Sequence, residues 1–148
     1  MAVTKPIAIK VKRVNMNAKL PIRSDGDAGW DFYAPKDYVI DAGQAAMVCP
    51  TGIAFEFPKG YYLELFMRSS TAKKTTLRLS NQVGVVDSTY RGEVVALFDN
   101  VGRTPYTIKK GERFIQGIIK KEVPTVLEEA EDLTPTERGT GGFGSTGA

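Results

Sequence analysis

The sequence contains no histidine. That removes the commonest general base, every serine–histidine triad and the usual transition-metal ligand. Acid–base chemistry must then fall to a carboxylate, lysine, tyrosine or water. Cysteine is almost as scarce. Cys49 stands alone, so neither an internal disulfide nor a cysteine-based zinc site can form. It lies in the apolar run AAMVCPTGIAF and is expected to be a core thiol. Any metal is expected to be a hard cation held by oxygen, such as magnesium. Long apolar runs are missing too, since none approaches the roughly 20 residues of a membrane span. The opening MAVTKPIAIKVKR shows no apolar stretch leading to a small-residue cleavage site, and a cytoplasmic location is expected. Charge of one sign is not in large excess: the net charge is +3, with small basic groups at Lys10–Arg13 and Lys109–Arg113. Neither nucleic acid nor membrane is therefore expected as a partner.

What is present suits one domain with a single core. The 148 residues are 42% hydrophobic and 25% charged, close to ordinary globular values. Short apolar runs alternate with turn signals at about eight- to twelve-residue spacing, which predicts an all-β sandwich or barrel. IAIKVKRV alternates apolar and polar residues. AAMVCPTGIAFEFPKGYYLELFM reads as two strand-like runs around the breaks at Pro50–Gly52 and Pro58–Gly60. VGVVDSTYRGEVVALFDNVG reads as a hairpin, and YTIKKGERFIQGIIKKEV as a second one turning at Lys110–Gly111. The only helix expected is a turn or two around SSTAKKTTL. From Pro124 a last strand-like piece gives way to acidic and then glycine-rich sequence, expected to leave the body as a tail.

Several stretches carry polar chemistry with more than one reading. GTGGFG, Gly139–Gly144, matches the spacing of a dinucleotide fingerprint, but the chain ends where the required helix should begin. Its glycine amides could still face phosphate, Arg138 could pair with one, and Phe143 could stack on a base. The alternative is an inert linker. FMRSSTAKK sets Arg68, Ser69 and Ser70 after a strand-like run, as a phosphate cradle or as a helix start capped by serine. NQVGVVDSTYRGEV holds Asn81, which could read a base edge. It also holds Asp87, which an apolar run could partly desolvate for activating water, or which could simply occupy a turn. AGWDFYA places Asp31 among apolar neighbours, as a metal helper or a structural aspartate. GERFIQ carries Arg113 and Gln116 at what could be an ordinary strand edge.

Taken together and in this order, AGWDFYA, RSSTAKK, NQVGVVDSTYRGEV, GERFIQ and RGTGGFGSTG span Ala28 to Gly147. The sequence resembles the trimeric deoxyuridine triphosphatase (dUTPase) family, which is marked by five such motifs. The resemblance implies an all-β, β-clip-like jelly-roll domain over residues 1–133. A flexible glycine-rich arm over residues 134–148 would close on nucleotide. It implies a homotrimer with active sites at subunit interfaces. The implied reaction is hydrolysis of dUTP to dUMP and pyrophosphate by water attack on the α-phosphorus. That reaction limits uracil in DNA and supplies dUMP for dTMP synthesis.

By the same resemblance Asp87 orients and deprotonates the water. Tyr90 packs under the deoxyribose, Asn81 bonds the uracil edge, and the backbone around Gly84 and Val86 shapes the pocket. Arg68, Ser69, Ser70 and Gln116 hold phosphates. Asp31 helps hold Mg2+ through water, the metal being carried mainly by the phosphates. Arg138, Phe143, Gly144, Ser145 and Thr146 add contacts from the arm. Met67, TAKKTTL and Phe114-Ile115 depart from the usual motif residues. Two other classes share the scaffold: a dCTP deaminase-related enzyme, and a nucleotide-sensing protein with a regulatory partner if the chain is phage-encoded. The deaminase would need a glutamate where Val95, Ala96 and Leu97 stand.

Overall fold

The computed structural model describes residues 5–144. It is built almost wholly of short antiparallel strands. One sheet runs in the order β2 (Trp30–Tyr33), β11 (Arg113–Lys121), β6 (Tyr61–Phe66) and β8 (Gly84–Val86). A second joins β4 (Met47–Pro50), β9 (Val95–Asn100) and β7 (Leu77–Leu79). Two ribbons complete the body: β1 (Lys10–Arg13) with β5 (Ile53–Glu56), and β3 (Tyr38–Ile40) with β10 (Tyr106–Ile108). This is the layered, sheet-on-sheet solution of a jelly roll. The single helix, α1 (Ser69–Lys74), lies where the sequence predicts it.

Period-2 patterning decides which side chains enter the core. In β9, Ala96, Phe98 and Asn100 point inward while Val95, Leu97 and Asp99 are half-buried. Leu63 and Leu65 of β6 and Leu77 and Leu79 of β7 meet them, together with Phe32, Ile40, Phe114 and Ile115. Cys49 is completely buried among these residues, and that burial pushes its thiol up to about 12. The core-thiol reading holds. Tyr38 is likewise pushed up to about 12, first by burial and then by Cys49 and Glu93 nearby.

Phe114 and Ile115 are neighbours in sequence, yet both are buried. The register of β11 against β2 shifts between Arg113 and Ile115. Such a bulge lets consecutive side chains face the core and re-aims the residues after it. The large pair at Phe114-Ile115 is therefore core filling, and the shift sets Gln116 directly across from Asp31.

Three sequence expectations are corrected. The two predicted hairpins do not form. β8 pairs with β6 while β9 pairs with β4 and β7; the DSTYRG segment crosses from one sheet to the other. β10 pairs with β3 while β11 pairs with β2 and β6. The run expected to hold two strands holds three, because Pro50–Gly52 separates β4 from β5 and Pro58–Gly60 separates β5 from β6. Gly52 makes that first break at φ +74, where a Cβ would press to 2.5 Å from the Ala18 Cβ. Beyond β11 no strand forms among the described residues; Val123, Val126, Leu127 and Leu133 are exposed. A strand must pair its backbone groups, and among the described residues this segment lies along no sheet edge.

Candidate functional site

Two polar regions emerge, on opposite edges of the four-stranded sheet. The first is at the corner where β2, β11 and the end of β6 meet α1. Asp31 and Gln116 are cross-strand partners, and Gln116 also lies opposite Phe66. The chain then turns through Met67 and Arg68 into α1. Arg68 is the residue before the helix, in extended conformation, and no side chain caps the helix. The serine-capping alternative is thus not realised. Among the described residues, neither the Ser69 nor the Ser70 hydroxyl has a hydrogen-bond partner, which leaves both open to a ligand.

Asp31 ties this corner together. Arg68 donates Nε to its Oδ1 at 3.0 Å, and Arg113 donates Nη1 to its Oδ2 at 3.1 Å. Arg68 also donates Nη1 to the Arg113 carbonyl at 2.9 Å. The result is one carboxylate between two guanidiniums, a net positive cluster beside open serine hydroxyls. Gln116 donates Nε2 to the Met67 carbonyl at 3.0 Å. Its Oε1 fills the space beside Gly29, where a Cβ would stand only 2.6 Å away. Gly29 is therefore the space the Gln116 carboxamide requires. The corner is suited to bind polyanions. The motifs alone mark neither Arg113 nor Gly29 as a site residue. Their roles depend on cross-strand register, which no local pattern reveals.

The second region is a cavity of about 220 Å³ walled by Asn81, Gly84, Val86, Asp87, Tyr90 and Glu93. That is below the roughly 300–1,000 Å³ of pockets that enclose whole drug-sized ligands. It suits a fragment such as a nucleobase with its sugar edge, and leaves charged groups outside. The Tyr90 hydroxyl donates to the Glu93 carbonyl at 3.1 Å, and the Tyr90 amide to the Asp87 carbonyl at 3.1 Å. These bonds hold the DSTYRG turn closed. Glu93 is itself engaged, its Oε1 accepting the Gly52 amide at 2.6 Å. Asp87 is exposed, and among the described residues its carboxylate has no hydrogen-bond partner. Of its two readings, burial by the apolar run is therefore not realised in one chain. β8 is an edge strand, and Val85 on its outer face is 63% exposed.

Among the described residues no hydrogen bond or ion pair joins the two regions. The described part of the arm joins neither. Arg138 donates Nε to Gly141 in its own turn at 2.9 Å, and Phe143 is fully exposed. Gly144 closes the described chain at φ +91, while Ser145 and Thr146 lie outside the described residues. A larger apolar groove of about 740 Å³, between Ile7, Val11, Trp30 and Tyr61, contains none of the predicted site residues.

Comparison with known proteins identifies the family and the fold. The dUTPase family pattern covers residues 16–147. The chain is similar to the deoxyuridine 5'-triphosphate nucleotidohydrolase of Caulobacter vibrioides, 42% identical over 99% of this chain and 98% of that protein. Its fold is similar to that of the Staphylococcus bacteriophage 80alpha dUTPase solved with dUPNHPP. That similarity has a TM-score of 0.88 and 27% identity, and it covers 95% of this chain and 99% of that one. The dUTPase of phage phi11 of S. aureus, described with a structural Mg(II) ion, shares the fold at a TM-score of 0.79. It is 22% identical and covers 85% of this chain and 98% of its own. With the family pattern matched over residues 16–147 and a relative 42% identical over nearly its whole length, the chain belongs to the dUTPase family.

Proposed function

We propose that this protein hydrolyses dUTP to dUMP and pyrophosphate, at sites that two or more copies of the chain build together in a homotrimer. The observation that carries the reading is the division of the motif residues into two incomplete halves. One half holds anions and the other holds a base-sized cavity with a free carboxylate. Two further features favour assembly. Among the described residues the edge strand β8 is paired on one side only, and its Val85 is exposed. Val123, Val126 and Leu127 are exposed apolar residues beyond the body, and an apolar groove flanks β1.

In this reading uracil enters the cavity, where the Asn81 amide matches its donor and acceptor edge. Tyr90 packs against the deoxyribose, where a ribose hydroxyl would clash. The walls around Gly84 and Val86 leave no room for a thymine methyl. The triphosphate runs to the anion corner of a neighbouring chain, onto Arg68, Ser69, Ser70 and Gln116. Asp87 orients the attacking water and takes its proton as the water oxygen bonds the α-phosphorus. The bond to the bridging oxygen breaks, and pyrophosphate leaves with the electron pair. The work is positioning and electrostatics.

Magnesium fits this site only in an outer role. The described residues contain no group of three or more His, Cys, Asp or Glu able to hold an ion. Asp31 already faces two guanidiniums. Bound to the phosphates, Mg2+ would offset the charge developing on pyrophosphate, with Asp31 reaching it through water. The arm, residues 134–148, would close over nucleotide through Arg138, Phe143, Gly144, Ser145 and Thr146. No helix of the described residues is long and apolar enough to cross a membrane. A deaminase reading finds no support. β9 presents Val95, Ala96 and Leu97, and Glu93 is held by Gly52.

The test is pyrophosphate release with magnesium from dUTP, dCTP, dTTP and UTP under one condition. Release from dUTP alone is expected. Conversion of dCTP to a uracil nucleotide without pyrophosphate release would contradict the reading.

Gly29 gives a second check. Gly29→Ala would push the Gln116 carboxamide out of place, and misplacement by about an ångström can cost on the order of 100-fold in rate. A loss of about 10- to 100-fold in kcat is expected, with folding little changed because only a flexible side-chain end must move. The same substitution made in Gln116→Ala should then cost almost nothing more.

A further inference from the structure

Arg113 opens β11 just before the bulge, and its part in the site is visible only in three dimensions. Its side chain takes one oxygen of Asp31 at 3.1 Å while Arg68 takes the other at 3.0 Å. Its carbonyl accepts Arg68 Nη1 at 2.9 Å. A guanidinium has five N–H donors. Arg68 commits two of them to this knot and keeps three for a ligand. The knot is sheltered where it matters: the side chains of Arg68 and Asp31 are 22% and 20% exposed, that of Arg113 46%. Asp31 alone could hold Arg68 in several orientations, because a carboxylate with one oxygen free can swing. Arg113 occupies that oxygen and removes the freedom.

We propose that Arg113 is a positioning residue for phosphate binding: acting through Asp31, it fixes the Arg68 guanidinium so that its uncommitted donors face the triphosphate. The inference rests on the phosphate-binding role given to Arg68 above. Arg113 does not touch substrate in this account. Its removal should weaken recognition of the phosphate chain and leave recognition of the nucleoside intact.

The experiment is a double-mutant cycle on Arg113→Ala and Asp31→Ala. It is read by binding of α,β-imido-dUTP and of deoxyuridine, with magnesium and in EDTA, and by steady-state kinetics. Arg113→Ala should weaken imido-dUTP binding by about 3- to 10-fold, as expected for a partly sheltered ion pair. It should raise KM by a similar factor, change kcat less than about 2-fold and leave deoxyuridine binding unchanged. In the Asp31→Ala background it should have no further effect. Arg113→Lys, which keeps a cation within reach of Asp31, should recover part of the loss. It also carries the cycle if the alanine variant fails to fold.

An equal loss with and without Asp31 would overturn the proposal by showing direct contact with substrate. So would a loss seen only with magnesium, or no loss at all. Arg68→Ala is the control: if it leaves imido-dUTP binding intact, the phosphate role of the corner fails. If Arg68→Ala weakens binding and Arg113→Ala does not, only this inference fails.

Discussion

Asp87→Asn should lower kcat for dUTP hydrolysis by about 100- to 10,000-fold, the range of a positioned general base. Asp87 directly follows the edge strand β8 on the wall of the base-sized cavity, and its carboxylate is free of partners among the described residues. A carboxylate in that state can accept a proton from water, and asparagine of the same shape cannot. Because the change is nearly isosteric and the side chain is exposed, the melting temperature should move little. Affinity for α,β-imido-dUTP should stay within about 3-fold, since this loss belongs to the transition state and not to substrate binding. A kcat within about 10-fold of the unaltered protein would remove Asp87 from the role of base.

The second large effect concerns the arm. Deleting residues 138–148 should leave a folded protein of unchanged oligomeric state with turnover reduced by about 100-fold or more, the scale of losing stacking and charge-assisted contacts together. The described part of that segment makes no hydrogen bond to the body: Arg138 bonds Gly141, and Phe143 is fully exposed. Removing these described residues therefore costs no core contact. In the proposed reading, what would be lost is closure, which would shield the reacting phosphate from bulk water and add an aromatic face and a cation to the bound nucleotide. Phe143→Ala alone should produce an intermediate defect, about 5- to 100-fold if one stacking contact is removed. Turnover and thermal melting measured on both variants decide the matter. Normal turnover after the deletion would mean that the arm is a linker and nothing more.

The strands were legible in the sequence because alternation reports which residues face a core. Their pairing was not. DSTYRG looks like a hairpin turn since strand-like runs flank it, yet β8 and β9 find partners far away in sequence. Alternation says nothing about which edge a strand will meet. The bulge at Arg113–Ile115 was hidden for a related reason: two adjacent apolar residues fit a strand or a bulge equally well until the partner is known. Arg68, Asp31 and Gln116 could be named from their motifs, but the knot with Arg113 and the space left by Gly29 depend on register. The apolar residues after Val123 suggest a strand, yet none of them pairs with a sheet edge among the described residues. The sequence allows Asp87 to be partly desolvated by its apolar run or to sit in a turn, and it is exposed, after a strand at the sheet edge.

The division of the site between chains is the claim on which the mechanism depends. Asp87→Asn and Arg68→Ala chains, each nearly inactive alone, should be unfolded together, refolded as mixed oligomers and assayed for pyrophosphate release from dUTP. If a site takes Asp87 from one chain and Arg68 from another, random mixing at equal amounts restores about one quarter of the sites. Activity should then rise far above that of either variant. If both residues serve a site within the same chain, every site in the mixture is damaged, and activity that stays at the level of the separate variants would contradict the shared site.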